Sequence, residues 1–271
     1  MALPRTLTLV YHAREPYPAE VLLEDVYRDL QVRAAPGRPA VILNMVQTLD
    51  GAVAVEGRAW TIGSAVDHFL FRTLRGWADA VLCGAGTLWR HDLVPTTHPE
   101  LQAERIASGR PGHPAAVVVT RRAEFPDEVL ARRFFARRDF ASIVLTTELA
   151  RDVDRRRLEA AGAEVLVVPA TPEGEVDLAA ALGLLQARGV HRVLVEGGPQ
   201  TNRRLAASRA LDELFLTVAP TLAGVPDPSR VLAGVLGGAR VRLSVISEFH
   251  YRTPALREWY LRFAVSFAEG P

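Results

Sequence analysis

Cysteine is almost absent from this 271-residue chain, which contains only Cys83. An intramolecular disulfide and a zinc site with several cysteine ligands are therefore excluded. The seven histidines are scattered without metal-ligand spacing, so we expect no metal site. A single cysteine is typical of a protein in a reducing compartment, and we expect a cytoplasmic location.

Long apolar runs and an excess of one charge are also missing. No run is long enough to cross a bilayer, and Arg5 interrupts the short apolar stretch at residues 1–10, so we expect neither a membrane span nor a signal peptide. The 32 basic and 31 acidic residues give a net charge of +1, which favours neither nucleic acid nor an anionic membrane. Small molecules remain as the expected partners.

Short apolar segments alternate with amphipathic ones through most of the chain. Helices are predicted over residues 64–75, 154–161 and 177–188, the first with Ser64 as its N-cap. Strands are predicted at residues 40–47, 80–83, 115–119, 142–145, 165–168 and 193–195. This alternation predicts an α/β fold with a mixed, mostly parallel central sheet flanked by helices.

The two ends of the chain depart from this alternation. Residues 213–219, 241–249 and 259–267 are typical of strands without long helices between them, which predicts antiparallel C-terminal strands. Residues 52–55 follow an Asp50-Gly51 turn and are predicted as a further strand. Residues 18–30 have helical apolar spacing, so we expect an N-terminal extension, 1–39, with a short helix, and a main domain, 40–271.

Two glycine turns follow predicted strands. In the first, Glu196, Gly197, Gly198 and Pro199 lead into a helix, whose free N–H groups favour phosphate, and Arg203 and Arg204 could add charge-assisted bonds. Alone, this pair of glycines is equally compatible with a tight turn that binds nothing. The second turn contains Gly84, Gly86 and Thr87. Because both turns lie at carboxyl ends of strands, they could face one extended ligand.

Several short blocks occur in an order that resembles the reductase domain of the bifunctional riboflavin-biosynthesis deaminase-reductases. The likeness covers about residues 40–267. The blocks are Thr-Leu-Asp-Gly (48–51), Trp-Thr (60–61), Leu-Arg (74–75), Asp-Ala-Val-Leu-Cys-Gly-Ala-Gly-Thr (79–87), Val-Leu-Val-Glu-Gly-Gly-Pro (193–199), Leu-Asp-Glu-Leu (211–214), Ala-Pro (219–220) and Leu-Ala-Gly (222–224). No deaminase zinc signature is present, so a stand-alone reductase is expected.

The resemblance implies a dihydrofolate-reductase-like fold, a homodimer, and NADPH-dependent reduction of the ribosyl side chain of 5-amino-6-(5-phosphoribosylamino)uracil. It implies that Glu196 contacts substrate and is the candidate catalytic residue, and that Arg75 and Arg58 bind the anionic substrate. The implied cofactor-binding residues are Val46, Trp60, Gly84, Gly86, Thr87, Gly197, Gly198, Pro199, Gln200, Thr201 and Arg204.

The segment after Thr87 departs from the family pattern, which has an acidic residue four positions on and a distal arginine that grips the substrate phosphate. His91 stands at the fourth position here, and Arg90 or Arg105 could replace the arginine. Two alternatives therefore stay open: an NADPH-dependent reductase of another pterin-like or pyrimidine-like substrate, and a non-catalytic nucleotide-binding protein. Dihydrofolate itself is disfavoured, because the first helix offers only Asp67 as a carboxylate.

Overall fold

The computed structural model describes residues 3–14, 18–55, 57–225, 229–232, 240–254 and 256–268. The strands are Thr6–His12 (β1), Glu20–Leu22 (β2), Ala40–Thr48 (β3), Ala80–Gly84 (β4), Ala115–Val119 (β5), Ser142–Thr147 (β6), Glu164–Val168 (β7), Arg192–Val195 (β8), Glu213–Ala219 (β9), Arg240–Arg252 (β10) and Arg257–Ala268 (β11). The helices are Ala65–Trp77 (α1), Ala85–Arg90 (α2), Pro99–Ala107 (α3), Asp127–Leu130 (α4), Arg133–Ala136 (α5), Asp152–Ala161 (α6), Leu178–Ala187 (α7) and Pro199–Ala207 (α8).

All these strands belong to one sheet, in the order β2-β1-β10-β11-β9-β3-β8-β4-β5-β6-β7. Neighbours from β9 to β7 are parallel. Neighbours from β2 to β9 are antiparallel. The predicted α/β class is confirmed, with its mostly parallel centre and antiparallel C-terminal strands. Among the described residues, no helix is both long and apolar enough to span a bilayer.

Helices cover both faces of the parallel part, because successive side chains of a strand point to opposite faces. Ile42 of β3 packs in one buried cluster with Leu74 of α1. Its neighbour Leu43 packs in a second cluster with Leu185 of α7 and Leu205 of α8. This two-sided burial explains why the central strands are continuous apolar runs rather than alternating ones.

The predicted first long helix is confirmed, and its beginning is fixed by a side chain. Ser64 accepts a hydrogen bond from the backbone N–H of Val66, as an N-cap serine does. Two residues separate the end of α1 at Trp77 from the start of β4 at Ala80, so the helix returns the chain to the amino end of the next strand.

The helix predicted over residues 18–30 is wrong. That segment forms β2 and then a single 3-10 turn, Leu23–Asp25. The apolar spacing was real, because Leu23, Val26 and Leu30 are buried, but Tyr27 has a φ of 63°, which interrupts any helix. Strand β1 was not predicted, although buried Leu7 and Leu9 alternate with exposed neighbours there.

The strand predicted at residues 52–55 is also wrong. Ala52 and Val53 are buried, but no strand of the described residues pairs with them, and an isolated bridge joins Val55 to Arg58. The Val53 N–H instead donates to the Ser229 carbonyl at 2.9 Å. Burial beneath a loop, and not membership of the sheet, accounts for the apolar character of this segment.

Candidate active site

The turn after β8 adopts a backbone that only glycine tolerates well. Gly197 and Gly198 have φ values of 98° and 87°, in the region that strains residues with a side chain. The Glu196 N–H donates to the Leu82 carbonyl of β4 at 2.9 Å, and helix α8 begins at Pro199. The sharp turn places the free N–H groups of α8 at the sheet edge.

The two glycine turns lie against each other. The Gly84 N–H donates to the Gly197 carbonyl at 3.4 Å. A Cβ on Gly198 would lie 3.3 Å from Thr87 Oγ1 and 3.4 Å from Thr201 Oγ1, and a Cβ on Gly84 would lie 2.5 Å from the same Thr201 oxygen. Bare backbone and two hydroxyl groups therefore form one cradle, which has the chemistry to hold the phosphates of a dinucleotide.

A cavity of about 360 Å³ opens beside this cradle. It combines the glycine turn, loop residues that follow β3, and two basic residues from the end of α2. The lining residues are Met45, Val53, Ala54, Gly57, Ala59, Thr87, Arg90, His91, Glu196, Gly197, Gly198, Pro199, Val225 and Ser229. Its position beyond the carboxyl ends of parallel strands is where α/β sheets bind ligands.

A smaller cavity of about 160 Å³ adjoins the first, and the two share Met45, Val53, Ala59 and Glu196. Its walls are mainly apolar, with two carboxyl groups among them. Its other lining residues are Asn44, Val46, Trp60, Asp67, His68 and Phe71. A narrow apolar slot with a few polar groups suits a flat heteroaromatic ring. Glu196 lies at the junction of the two cavities.

Glu196 is held by a buried bidentate ion pair. Arg75 Nε donates to Oε1 at 2.6 Å and Arg75 Nη2 donates to Oε2 at 2.7 Å, with side chains 11% and 8% exposed. The remaining Arg75 nitrogen, Nη1, donates to the Val94 carbonyl at 2.9 Å, and the guanidinium lies 4.2 Å from the Phe71 ring centre. The bidentate pair fixes the Glu196 carboxylate in one orientation.

The second carboxyl group of the smaller cavity has a different environment. The pKa of Asp67 is raised to about 6, chiefly by burial. The Thr217 hydroxyl and His68 oppose this rise, and the charge of Glu258 adds to it. No cation pairs directly with Asp67 as Arg75 pairs with Glu196, within the part of the chain that the structure describes. Two carboxyl groups in different environments therefore line one slot.

Most of the predicted site residues come together here. Val46, Trp60, Thr87, Glu196, Gly197, Gly198 and Pro199 line the two cavities, and Gly84, Gly86 and Thr201 belong to the adjoining turns. Arg75 is not among the lining residues of either cavity, but it contacts Glu196, which lines both. Arg58 and Gln200 are exposed and line neither cavity. Arg204 pairs with Glu175 at 2.6 Å and lines a separate cavity with Arg203.

Of the two arginines suggested for the substrate phosphate, only Arg90 lines the larger cavity. Arg105 is 3% exposed and donates to the backbone carbonyls of Gly76, Ala78 and Pro111. It therefore holds the carbonyl end of α1 instead of facing a ligand, and the suggestion that it binds phosphate is wrong. Lysine and arginine side chains commonly stabilise the C-termini of helices in this way.

Residues of the smaller cavity were partly missed. Asp67 and Phe71 are four residues apart and so lie on one face of α1, a spacing that the sequence already contained. Asn44 and Met45 belong to the carboxyl half of β3, where the strand begins to leave the buried core. An acidic residue on the buried face of a helix was the available signal for this site.

Asp50 ties the turn after β3 to the loop after β9. Its carboxylate accepts hydrogen bonds from the Thr48 hydroxyl and from the Ala223 and Gly224 N–H groups. The Thr48 bond, followed by these backbone bonds, lowers the pKa of Asp50 to about 2. Since Val225 lines the larger cavity, this clamp positions one of its walls.

Asp50→Asn should loosen the loop at residues 221–225. An amide accepts fewer of these bonds and carries no charge, so the Ala223 and Gly224 amides should exchange with deuterium about 10-fold faster. The pKa is depressed in the folded protein, so the clamp is present above pH 4 and is lost as pH falls through 2. Hydrogen-exchange mass spectrometry checks this, and unchanged protection of both amides in Asp50→Asn would contradict it.

Comparison with known proteins gives consistent matches. The RibD C-terminal domain model matches residues 39–250. The 2,5-diamino-6-ribosylamino-4(3H)-pyrimidinone 5′-phosphate reductase of Archaeoglobus fulgidus is 30% identical over 199 residues, which cover 73% of this chain and 87% of that protein. The protein of the same name from Methanothermobacter thermautotrophicus is 28% identical over 197 residues, 73% of this chain and 85% of that protein.

The fold also matches a solved structure. A pyrimidine reductase-like protein from Corynebacterium diphtheriae superimposes with a TM-score of 0.70 and 24% identity. The match covers 84% of this chain and 92% of that one.

Proposed function

Because the chain belongs to the RibD C-terminal domain family, we propose that it uses NADPH to reduce the ribosyl side chain of a phosphorylated aminopyrimidine to a ribityl chain. It is an oxidoreductase of the riboflavin-biosynthesis reductase family, and that family uses a nicotinamide cofactor. One observation carries the proposal: Glu196 stands between a glycine cradle suited to phosphates and an apolar slot suited to a pyrimidine ring.

The cradle residues fit a nicotinamide dinucleotide. Gly197, Gly198 and the N-terminus of α8 would hold the phosphates, and Thr87 and Thr201 would donate hydroxyl bonds to them. When bound, NADPH supplies the hydride. Trp60 is 61% exposed at the slot, where it can close over a bound ring.

Glu196 acts on the sugar. Opening of the ribosyl ring gives an imine, C1′=N, which takes a proton on nitrogen and a hydride on C1′. A carboxylate held by Arg75 stabilises the positive charge of the protonated imine and accepts hydrogen bonds from sugar hydroxyls. Both Glu196 oxygens already accept hydrogen bonds from Arg75, so we assign the proton to bound water instead. Arg90 is the candidate for the substrate phosphate.

The proposal is tested with purified protein, NADPH, and two substrates: 2,5-diamino-6-ribosylamino-4(3H)-pyrimidinone 5′-phosphate and 5-amino-6-(5-phosphoribosylamino)uracil. We expect loss of NADPH absorbance and a ribityl product identified by mass spectrometry, with NADPH preferred to NADH. Binding of NADPH without turnover of either substrate would show a non-catalytic protein. Turnover of dihydrofolate alone would show a reductase of another ring.

We also propose that the chain forms a homodimer through one uncovered sheet face. Strands β10 and β11 present apolar side chains on the face opposite Tyr260, and the central ones on β10 stay exposed. Leu243 is 44% exposed and Val245 is 39% exposed. Val241, Phe263, Val265 and Phe267 continue the same face. A second copy related by a two-fold axis would bury this surface on both partners.

Leu243→Asp should give a monomer. A carboxylate buried without a partner costs at least about 100-fold in dimer affinity. Ile106→Asp, which places the same charge on exposed α3, is the matched control and should remain dimeric. Light scattering after size-exclusion chromatography gives both masses, and a dimeric Leu243→Asp protein would refute this interface.

We propose that the described part of the N-terminal extension, residues 3–14 and 18–39, forms one folded body with the main domain. Its strand β1 pairs with β10 along Thr8 and Leu9, so it extends the sheet. We infer a cytoplasmic location, which is supported by the single buried cysteine, Cys83.

A further inference from the structure

Asp67 is a buried carboxyl group that the proposed chemistry does not use. It occupies the third position of α1 and is 8% exposed, yet it lines the smaller cavity. A carboxyl group at such a position usually has a local role, because Ser64 and Asp67 have the spacing of a capping box. In that motif the third residue accepts the backbone N–H of the cap residue.

Here that local role is taken by another residue. The Ser64 N–H donates to Glu258 Oε1 at 2.9 Å, and the Ser64 and Tyr260 hydroxyls donate to Glu258 Oε2. Glu258 comes from β11 and is 1% exposed, so a distant strand supplies the cap acceptor. Asp67 is thereby left without its usual backbone partner.

The side chain of Asp67 is nevertheless held in place. Thr217 of β9 donates its hydroxyl to the carboxyl group, and a Cβ on Gly63 would overlap Oδ2, so only glycine leaves room for it. This arrangement fixes the carboxyl group in the wall of the slot. The apolar side chains Val46, Trp60 and Phe71 share that wall.

We propose that Asp67 determines specificity at the pyrimidine ring, by accepting hydrogen bonds from the ring N–H and 2-amino group of a 2-aminopyrimidinone and disfavouring a uracil. This inference rests on the proposed function. Glu196 lies at the cofactor junction, where the sugar must lie, so the ring lies in the slot that Asp67 lines.

The two substrate classes differ at position 2 of the pyrimidine ring, the position that a carboxylate in the slot would contact. A 2-amino-4(3H)-pyrimidinone presents two adjacent donors, N3–H and the 2-amino group, which match the two oxygens of a carboxylate. Uracil has a carbonyl oxygen at position 2, which would face the carboxylate and repel it. A buried acceptor left without a donor gives strong rejection, so we expect about 100-fold discrimination.

The first test uses the unmodified protein. At pH 7.5, kcat/KM for the 2,5-diaminopyrimidinone substrate should exceed that for the aminouracil substrate about 100-fold. Equal use, or preference for the uracil, overturns the inference and leaves the proposed function intact. Reduction of neither substrate instead overturns the proposed function.

The second test is Asp67→Asn, which keeps the shape and introduces a donor for the uracil carbonyl. The ratio of the two kcat/KM values should fall at least about 10-fold, with the Kd for NADPH unchanged. Asp154→Asn is the matched control, because Asp154 is a helical carboxylate of similar burial on distant α6. An Asp67→Asn protein that loses activity equally on both substrates would contradict the inference.

The pH dependence supplies a readout that a purely structural role would not give. Preference for the 2-aminopyrimidinone should decline as pH falls below about 6, because a protonated Asp67 can donate to the uracil carbonyl. In Asp67→Asn the ratio should stay flat between about pH 5 and 7. The groups that face Asp67 are His68 on its own helix, Thr217 on β9, Glu258 and Tyr260 on β11, and Tyr27.

Discussion

Gly198→Val is expected to abolish binding of the nicotinamide cofactor. A Cβ at this position would enter the cradle, 3.3 Å from Thr87 Oγ1 and 3.4 Å from Thr201 Oγ1, and the branched methyl groups would occupy the space of the phosphates. The φ of 87° with a ψ of 104° also strains a valine, because this region is open to glycine but not to residues with a Cβ. Affinity for NADPH should fall at least about 100-fold by calorimetry, with activity lost in parallel.

A control substitution at a second glycine distinguishes obstruction of the cradle from backbone strain. Gly189 has a φ of 82°, and a Cβ there would meet no atom within 4 Å. Gly189→Val therefore imposes the strain of a positive φ away from the cradle, and it should melt at a lower temperature but keep its affinity for NADPH. If both variants bind the cofactor normally, the cradle does not hold its phosphates.

The parallel part of the fold followed from the sequence because its physical signal is local. Each central strand is buried on both faces, so it forms a short apolar run, and each helix has an apolar stripe. The N-terminal strand β1 carries only a short alternation, in which buried Leu7 and Leu9 flank exposed Thr8. The position of β1 depends on pairing with β10, more than 230 residues later, and no local pattern encodes that partner.

The candidate site likewise has some features that follow from the local sequence and others that do not. The turn at Gly197 and Gly198 could be found because its backbone demands glycine within a strand-to-helix turn. The partner of a charged side chain could not be predicted from the local sequence, because Arg75 and Arg105 both point into the fold. Arg105 binds carbonyl groups at the end of α1, whereas Arg75 binds Glu196. Only the tertiary arrangement distinguishes these roles.

The role of Asp67 also depends on a tertiary contact that the local sequence does not reveal. The sequence places a carboxylate in the first turn of α1, where it is commonly a helix-stabilising group. Its release toward the cavity depends on Glu258, which is contributed by β11. The argument against dihydrofolate, that α1 offers only Asp67, loses force because this residue lines the slot.

Arg75→Ala should impair catalysis and folding together. Its removal leaves Glu196, 8% exposed, without a counter-charge, and breaking such a buried pair costs about 3–5 kcal/mol. That loss corresponds to a fall in Tm of about 10 °C for a chain of this size. The freed carboxylate loses its orientation, so kcat/KM for the pyrimidine substrate should fall at least about 100-fold. The Kd for NADPH should change little, because Arg75 contacts no cradle residue.

A double-mutant cycle distinguishes positioning of Glu196 from direct contact with substrate. If Arg75 acts through Glu196, the Arg75→Ala/Glu196→Gln protein should be about as active as Glu196→Gln alone and more stable than Arg75→Ala, since no unpaired buried charge remains. If Arg75 also binds substrate, the two losses in kcat/KM should add. Arg75→Lys retains the charge but cannot form the bidentate pair, so it should recover stability more than activity. Equal losses of NADPH and substrate affinity in Arg75→Ala would refute the assignment of this pair to the substrate side of the cleft.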